Sequence, residues 1–162
     1  GFDVDIYEQA PEIMEVGAGF QISANGTRVL YKLGLGAEID AICSQPEGKE
    51  IRIWNTGETK TLFDLGAKSV ERYGYPCLMF HRADLQRVLV DAVRREKPDA
   101  IHLDSRCDGF DQDGGRVTLR LDNGAAAEGD ALIGADSVHS AIRQSLFGDD
   151  RPKFRDAWRG AA

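Results

Sequence analysis

Asp130-Ala131-Leu132-Ile133-Gly134-Ala135-Asp136-Ser137-Val138-His139-Ser140 is the stretch on which the fold turns. Residues 131–135 are short, apolar and small or branched, which predicts a strand buried on both faces. Residues 136–140 then turn into a helix over 141–147, which Gly148 closes. A buried strand feeding a turn and a helix is the unit of an α/β sheet.

Upstream of this unit, residues 107–112, 116–121 and 125–128 read as three strands. Asp113-Gly114-Gly115 and Asp122-Asn123-Gly124 join them as hairpin turns, so the three form an antiparallel meander. Residues 101–103 form a short strand before it. Further back lies the clearest helix, 82–96. Leu85, Val88, Leu89, Ala92 and Val93 fall at i, i+3, i+4, i+7 and i+8, and Asp84, Arg87, Asp91, Arg94 and Arg95 fill much of the other face. A short apolar strand, 77–80, leads into this helix, and a loop rich in Gly and Tyr, 66–76, precedes it. Residues 50–55 alternate with period two and return over 60–63 through Thr56-Gly57-Glu58, a β-hairpin. Ser23 or Asn25 caps a helix through Val29, Leu30 and Leu33; Gly34 and Gly36 end it and start another over 37–42. The chain begins on a strand, 3–7, followed by a polar connection in which Pro11 blocks a long helix. Gly17 and Gly19 permit positive φ or close backbone approach. The fold class is α/β with α+β elements.

Composition bounds the function. The 162 residues are 42% apolar and 29% charged, an ordinary globular mixture that excludes a disordered chain. Lys and Arg number 20 against 27 Asp and Glu, a net charge of -7, which disfavours nucleic acid and anionic membranes as partners. No apolar run reaches the roughly 20 residues that span a bilayer. With no basic-then-apolar leader, Cys43, Cys77 and Cys107 read as reduced thiols, and the expected location is cytoplasmic. There is no CxxC or HxxxH, so no metal site is expected, and no GxSxG elbow. Both ends look cut rather than finished.

Three charged residues stand at places where ligands meet open sheets. Glu8 follows the first strand, where a carboxylate accepts hydrogen bonds from both hydroxyls of an adenosine ribose; the competing reading is a solvated acid. Arg82 opens a helix, where its charge opposes the macrodipole. It suits a phosphate or a flavin ribityl hydroxyl, or else is a plain surface cation. Asp136 caps the following helix, orders a cofactor's ribose and pyrophosphate region, or does both. His81, His139, Trp54 and Trp158 read as packing or local hydrogen-bonding residues, and Asp149-Asp150 as a solvated loop. The glycine fingerprint that a dinucleotide site needs lies about 20 residues before such an acid. Only seven residues precede Glu8, and neither Gly17-Ala18-Gly19 nor Gly34-Leu35-Gly36 substitutes, since Ile22 and Ile39 stand at the third glycine's place.

Taken in order, Glu8-Gln9-Ala10, Glu15-Val16-Gly17-Ala18-Gly19-Phe20-Gln21-Ile22, Asn25-Gly26-Thr27-Arg28-Val29-Leu30, His81-Arg82-Ala83-Asp84-Leu85, Ile133-Gly134-Ala135-Asp136-Ser137-Val138-His139-Ser140-Ala141-Ile142-Arg143 and Trp158-Arg159-Gly160 resemble one family. This is the FAD-dependent aromatic hydroxylases, single-component monooxygenases that include salicylate and 3-hydroxybenzoate hydroxylases. The resemblance implies a partial Rossmann-like domain for FAD and NAD(P)H with an inserted meander, lacking its first strand and the substrate domain. Residues 1–156 would be the FAD-binding part and 157–162 the start of the substrate domain. It implies that Glu8 binds the adenosine ribose, Arg82 the pyrophosphate–ribityl stretch, and Gly19 and Gln21 the flavin side. Asp136 would be the acid of a motif serving both FAD and NAD(P)H, and Glu8, Arg82 and Asp136 would converge on the cofactor. The implied partners are a phenolic or hydroxybenzoate-type substrate, NADH or NADPH and O2, with a homodimer of the full-length protein as a further expectation. A ubiquinone-type hydroxylase, an epoxidase or a non-catalytic fragment stay open as alternatives. Ser137 departs from the family, which has Gly there, and a β-carbon is expected to disturb that turn. The chain alone is expected to bind FAD weakly.

Overall fold

A computed structural model describes residues 1–13 and 17–148. Along the chain run β1 (Ile6–Tyr7), β2 (Gly19–Ile22), α1 (Ala24–Lys32), α2 (Gly36–Ile42), β3 (Gly48–Arg52), β4 (Thr59–Asp64) and α3 (Ala67–Tyr73). Then follow β5 (Leu78–His81), α4 (Arg82–Glu96), β6 (Ile101–His102), β7 (Cys107–Asp113), β8 (Arg116–Leu121), β9 (Ala126–Gly129) and α5 (Ala141–Phe147). The fold is mixed α/β. The chain divides into two compact units: Gly1–Ile13 with the described residues from Ile101 onward, and the described residues up to Ala100.

In the unit ending at Ala100, the core is Leu30, Leu35, Ile39, Leu78, Phe80 and Leu85. Part of the predicted apolar stripe of α4 supplies it: Leu85 is buried and Val88 and Ala92 pack against the cluster, whereas Leu89 is 36% exposed and, like Val93, is not part of it. β2 pairs antiparallel with β5, Phe20 opposite Phe80 and Ile22 opposite Leu78. The glycine-bearing segment 17–22 is thus partly strand, set by a partner 56 residues away that no local pattern announces. On its other edge β5 is bridged by Ser44, whose N–H donates to Met79 O at 2.9 Å and whose carbonyl accepts from Met79 N at 2.8 Å. β3 and β4 form the expected hairpin.

Two expectations fail in this unit. The Gly/Tyr-rich segment contains the helix α3, ended by Gly74 at φ +75°, whose N–H donates to Val70 O at 2.7 Å. Its glycine and proline are helix-stop signals that also read as loop. Trp54 is no packing residue: it projects from the β3–β4 connection, 93% exposed.

In the other unit, β1 runs parallel to β6, and β7, β8 and β9 form the expected meander in that order. α5 packs on β7. Leu119, Leu121 and Ile142 make the core, with Tyr7, Cys107, Phe110, Ala127 and Leu132 against it. The strand expected over 131–135 does not form. Those residues carry no regular structure, and Ile133 is 87% exposed. A buried strand needs ladder partners on both sides, and among the described residues none pairs with this segment. β1 is likewise shorter than the expected 3–7. Glu15, Val16, Asp149, Asp150, Trp158 and the division at 157–162 lie outside the described residues.

Candidate functional site

The β2–β5 ribbon builds one side of the candidate site. Alternation sends Phe20, Ile22, Leu78 and Phe80 into the core and turns Gly19, Gln21, Met79 and His81 to the other face. Gly19 lies opposite His81 in the ladder, and Gln21 opposite Met79. β5 passes directly into α4, so Arg82 stands beside the Gly19 end of this face. Its backbone N–H donates to Ala18 O at 3.1 Å. The Arg82 side chain is exposed and has no hydrogen-bond or ion-pair partner among the described residues. Asp84, two residues on, does not face Arg82 on the helix and is already engaged by Arg87 at 2.7 Å.

Gln21 is held from beneath. Its Nε2 donates to the Sγ of Cys77 at 3.0 Å, and Cys77 is 3% exposed. Gly19 has room to spare. A β-carbon there would meet only the Phe80 carbonyl oxygen, at 3.8 Å, an ordinary contact. The backbone conformation does not require glycine either, since Gly19 is absent from the positive-φ residues.

The other unit carries Glu8 and Asp136. Glu8 continues from β1, its N–H donating to His102 O and its carbonyl accepting from Ser105 N, both at 2.9 Å. Tyr7 stacks on His102 at 4.7 Å beside it. One carboxylate oxygen of Glu8 accepts from its own loop, Ala10 N at 2.9 Å, and the side chain is exposed. Asp136 accepts from Ser140 Oγ at 2.5 Å, Ala141 N at 2.7 Å and Ile142 N at 3.2 Å. It caps α5, the local role foreseen for it. Burial pushes its carboxyl upward, but these hydrogen bonds outweigh burial and hold it below the usual value. The Cys107 thiol is pushed up, chiefly by burial, with smaller contributions from Asp136 and Asp108.

Ser137 takes φ +67°. The turn that glycine makes freely is thus kept with a serine, at a steric cost. Arg143 stays close to this turn, donating to Val138 O at 2.8 Å.

Gly19, Gln21 and Arg82 are brought together on one ribbon and helix start. Glu8 and Asp136 belong to the other unit, so the expected convergence of Glu8, Arg82 and Asp136 stays a proposal. Sequence reasoning missed the seat that Cys77 gives Gln21. The close approach that glycine permits at position 17 is by His81: a β-carbon on Gly17 would lie 2.7 Å from both Cε1 and Nε2 of its ring.

The groups on β2, β5 and the start of α4 are of the kind a dinucleotide cofactor needs: a free guanidinium for phosphate, with an amide and a bare backbone strip beside it. In the other unit the Glu8 carboxylate has the acceptor chemistry that ribose hydroxyls require. No family model matches the chain. It is 36% identical over 154 residues to a 3-amino-4-hydroxybenzoate 2-monooxygenase of Streptomyces platensis, covering 95% of this chain and 38% of that protein. To a 6-hydroxynicotinate 3-monooxygenase of Pseudomonas fluorescens it is 33% identical over 155 residues, covering 95% and 39%. The solved structure of Klebsiella pneumoniae HpxO complexed with FAD and uric acid superposes with a TM-score of 0.73 at 30% identity, over 88% of this chain and 35% of that one. The chain thus spans less than two fifths of the relatives it matches.

Proposed function

The homologues of this chain being FAD-dependent aromatic monooxygenases, we propose that it forms part of the FAD-binding domain of such an enzyme. The complete protein would hydroxylate a phenolic or hydroxybenzoate-type ring, using NADH or NADPH and O2. When bound, FAD supplies the electron storage and oxygen activation that side chains lack. The observation that carries this reading is the β2–β5 register, which sets Gly19, Gln21 and the unpartnered Arg82 on one exposed face.

Each residue then has defined work. The Arg82 guanidinium neutralises the pyrophosphate or hydrogen-bonds the ribityl chain. Gly19 admits the cofactor against bare backbone, and Gln21, fixed by Cys77, offers an amide beside it. Glu8 accepts from the adenosine ribose hydroxyls with the carboxylate oxygen not engaged by Ala10. Asp136 holds the first turn of α5 and, with Ser137, shapes the turn ahead of it. That Ser137 reaches the left-handed conformation removes the objection that a β-carbon forbids the turn.

Gly19→Ala and Arg82→Ala in the complete protein test this reading. Gly19→Ala fits the fold without strain, so unchanged melting with FAD affinity lowered about tenfold or more is the expected result. Arg82→Ala weakens FAD to a similar extent. Wild-type protein should consume oxygen when NAD(P)H and a hydroxybenzoate are both supplied. Wild-type FAD affinity in Arg82→Ala would remove the assignment.

A further inference from the structure

Building on the FAD-binding reading above, we infer that His81 is a positioning residue: its imidazole occupies the place beside Gly17 where a side chain would begin, and so fixes the strap 17–19 and Arg82 together. Three successive residues of the strap are fastened to two residues at the β5–α4 junction. Gly17 lies under the His81 ring, where a β-carbon would come within 2.7 Å of two ring atoms. Ala18 O accepts from Arg82 N at 3.1 Å. Gly19 faces His81 across the ladder.

Each contact constrains the next. The ring rests on Gly17 only while Gly17 lacks a β-carbon. A β-carbon there turns the exposed ring off its seat, and the strap loses one of its three contacts with His81 and Arg82. Gly17 and His81 are both exposed, so the pair does not serve the core, which is built from the opposite face of the ribbon. Its effect falls on the face that carries Gly19, Gln21 and Arg82. This gives Gly17 a reason to be glycine that no turn supplies, since its φ is not positive.

The test uses the complete protein and two readouts, the FAD dissociation constant from flavin fluorescence quenching and the visible circular dichroism of the bound flavin. Gly17→Ala should weaken FAD about tenfold and change the dichroism. Adding His81→Ala to it should cost little more, since both changes remove the same contact. Should Gly17→Ala not fold, His81→Phe, which keeps a flat ring on Gly17, should bind FAD as the wild type does, and His81→Ala more weakly. A double variant whose loss is the sum of the two single losses, wild-type binding by Gly17→Ala, or His81→Phe binding worse than His81→Ala overturns the inference. Arg82→Ala separates the two levels. If it loses FAD while Gly17→Ala does not, only the role of His81 falls; if it binds FAD normally, the cofactor reading falls and this role with it.

Discussion

Ser137 holds φ at +67°, a region that costs a residue with a β-carbon roughly 1–2 kcal/mol. Glycine removes that cost but loses more freedom on folding, by about 0.5–1 kcal/mol. Ser137→Gly should therefore stabilise by about 0.5–1 kcal/mol, measured by urea unfolding, whereas Ser137→Val should destabilise. Its neighbour Asp136 couples stability to pH. The carboxyl is lower in the folded state than in the unfolded chain. Its contribution is therefore fully present above the ordinary carboxylate range, about pH 4, and is lost as the pH falls through the lowered folded value. Asp136→Ala should cost about 1 kcal/mol at neutral pH, the usual worth of a cap. The variant should also show a flatter acid limb in its stability profile. Equal losses at pH 7 and at about pH 2 would show that the hydrogen bonds to Ser140, Ala141 and Ile142 do not depend on the charge.

Among the elements, α4 shows how position sets cost. Leu85 is 5% exposed and sits in the cluster of its unit, while Leu89 is 36% exposed and outside it. Leu85→Ala should destabilise by about 2–5 kcal/mol, and Leu89→Ala by less than about 1 kcal/mol. Comparable losses from the two, in chemical denaturation, would mean that the helix packs differently. Elements built from local signals were legible in the sequence. The bounds of α4 and α5 and the order β7–β8–β9 follow from a 3.6-residue stripe, a closing glycine and two Asp/Asn-Gly turns. Elements that depend on distant partners were not. β2 becomes a strand because β5 pairs with it, and residues 131–135 stay irregular because nothing described pairs with them, although their composition is that of a strand. The same division runs through the site. Arg82 and Asp136 were legible from helix starts, whereas the seat of Gln21 on Cys77 and of His81 on Gly17 depends on a register no single segment encodes.

At the scale of the molecule, the chain taken by itself exposes much apolar surface. Phe2 is 98% exposed, Ile133 87% and Phe147 75%. Large apolar side chains left in water favour association, and residues 131–135 carry backbone groups without ladder partners among the described residues as well. The isolated 162 residues should self-associate with rising concentration in light scattering and bind FAD more weakly than the complete protein. A monodisperse monomer with the complete protein's FAD affinity would contradict this. The central claim is that the exposed face of β2 and β5, with Arg82, receives the cofactor. Its most direct test is a crystal structure of the complete protein with FAD. The account predicts cofactor density along Gly19 and Gln21, with the Arg82 guanidinium within hydrogen-bond distance of the pyrophosphate or ribityl oxygens. FAD bound elsewhere, with Arg82 left in solvent, would contradict it.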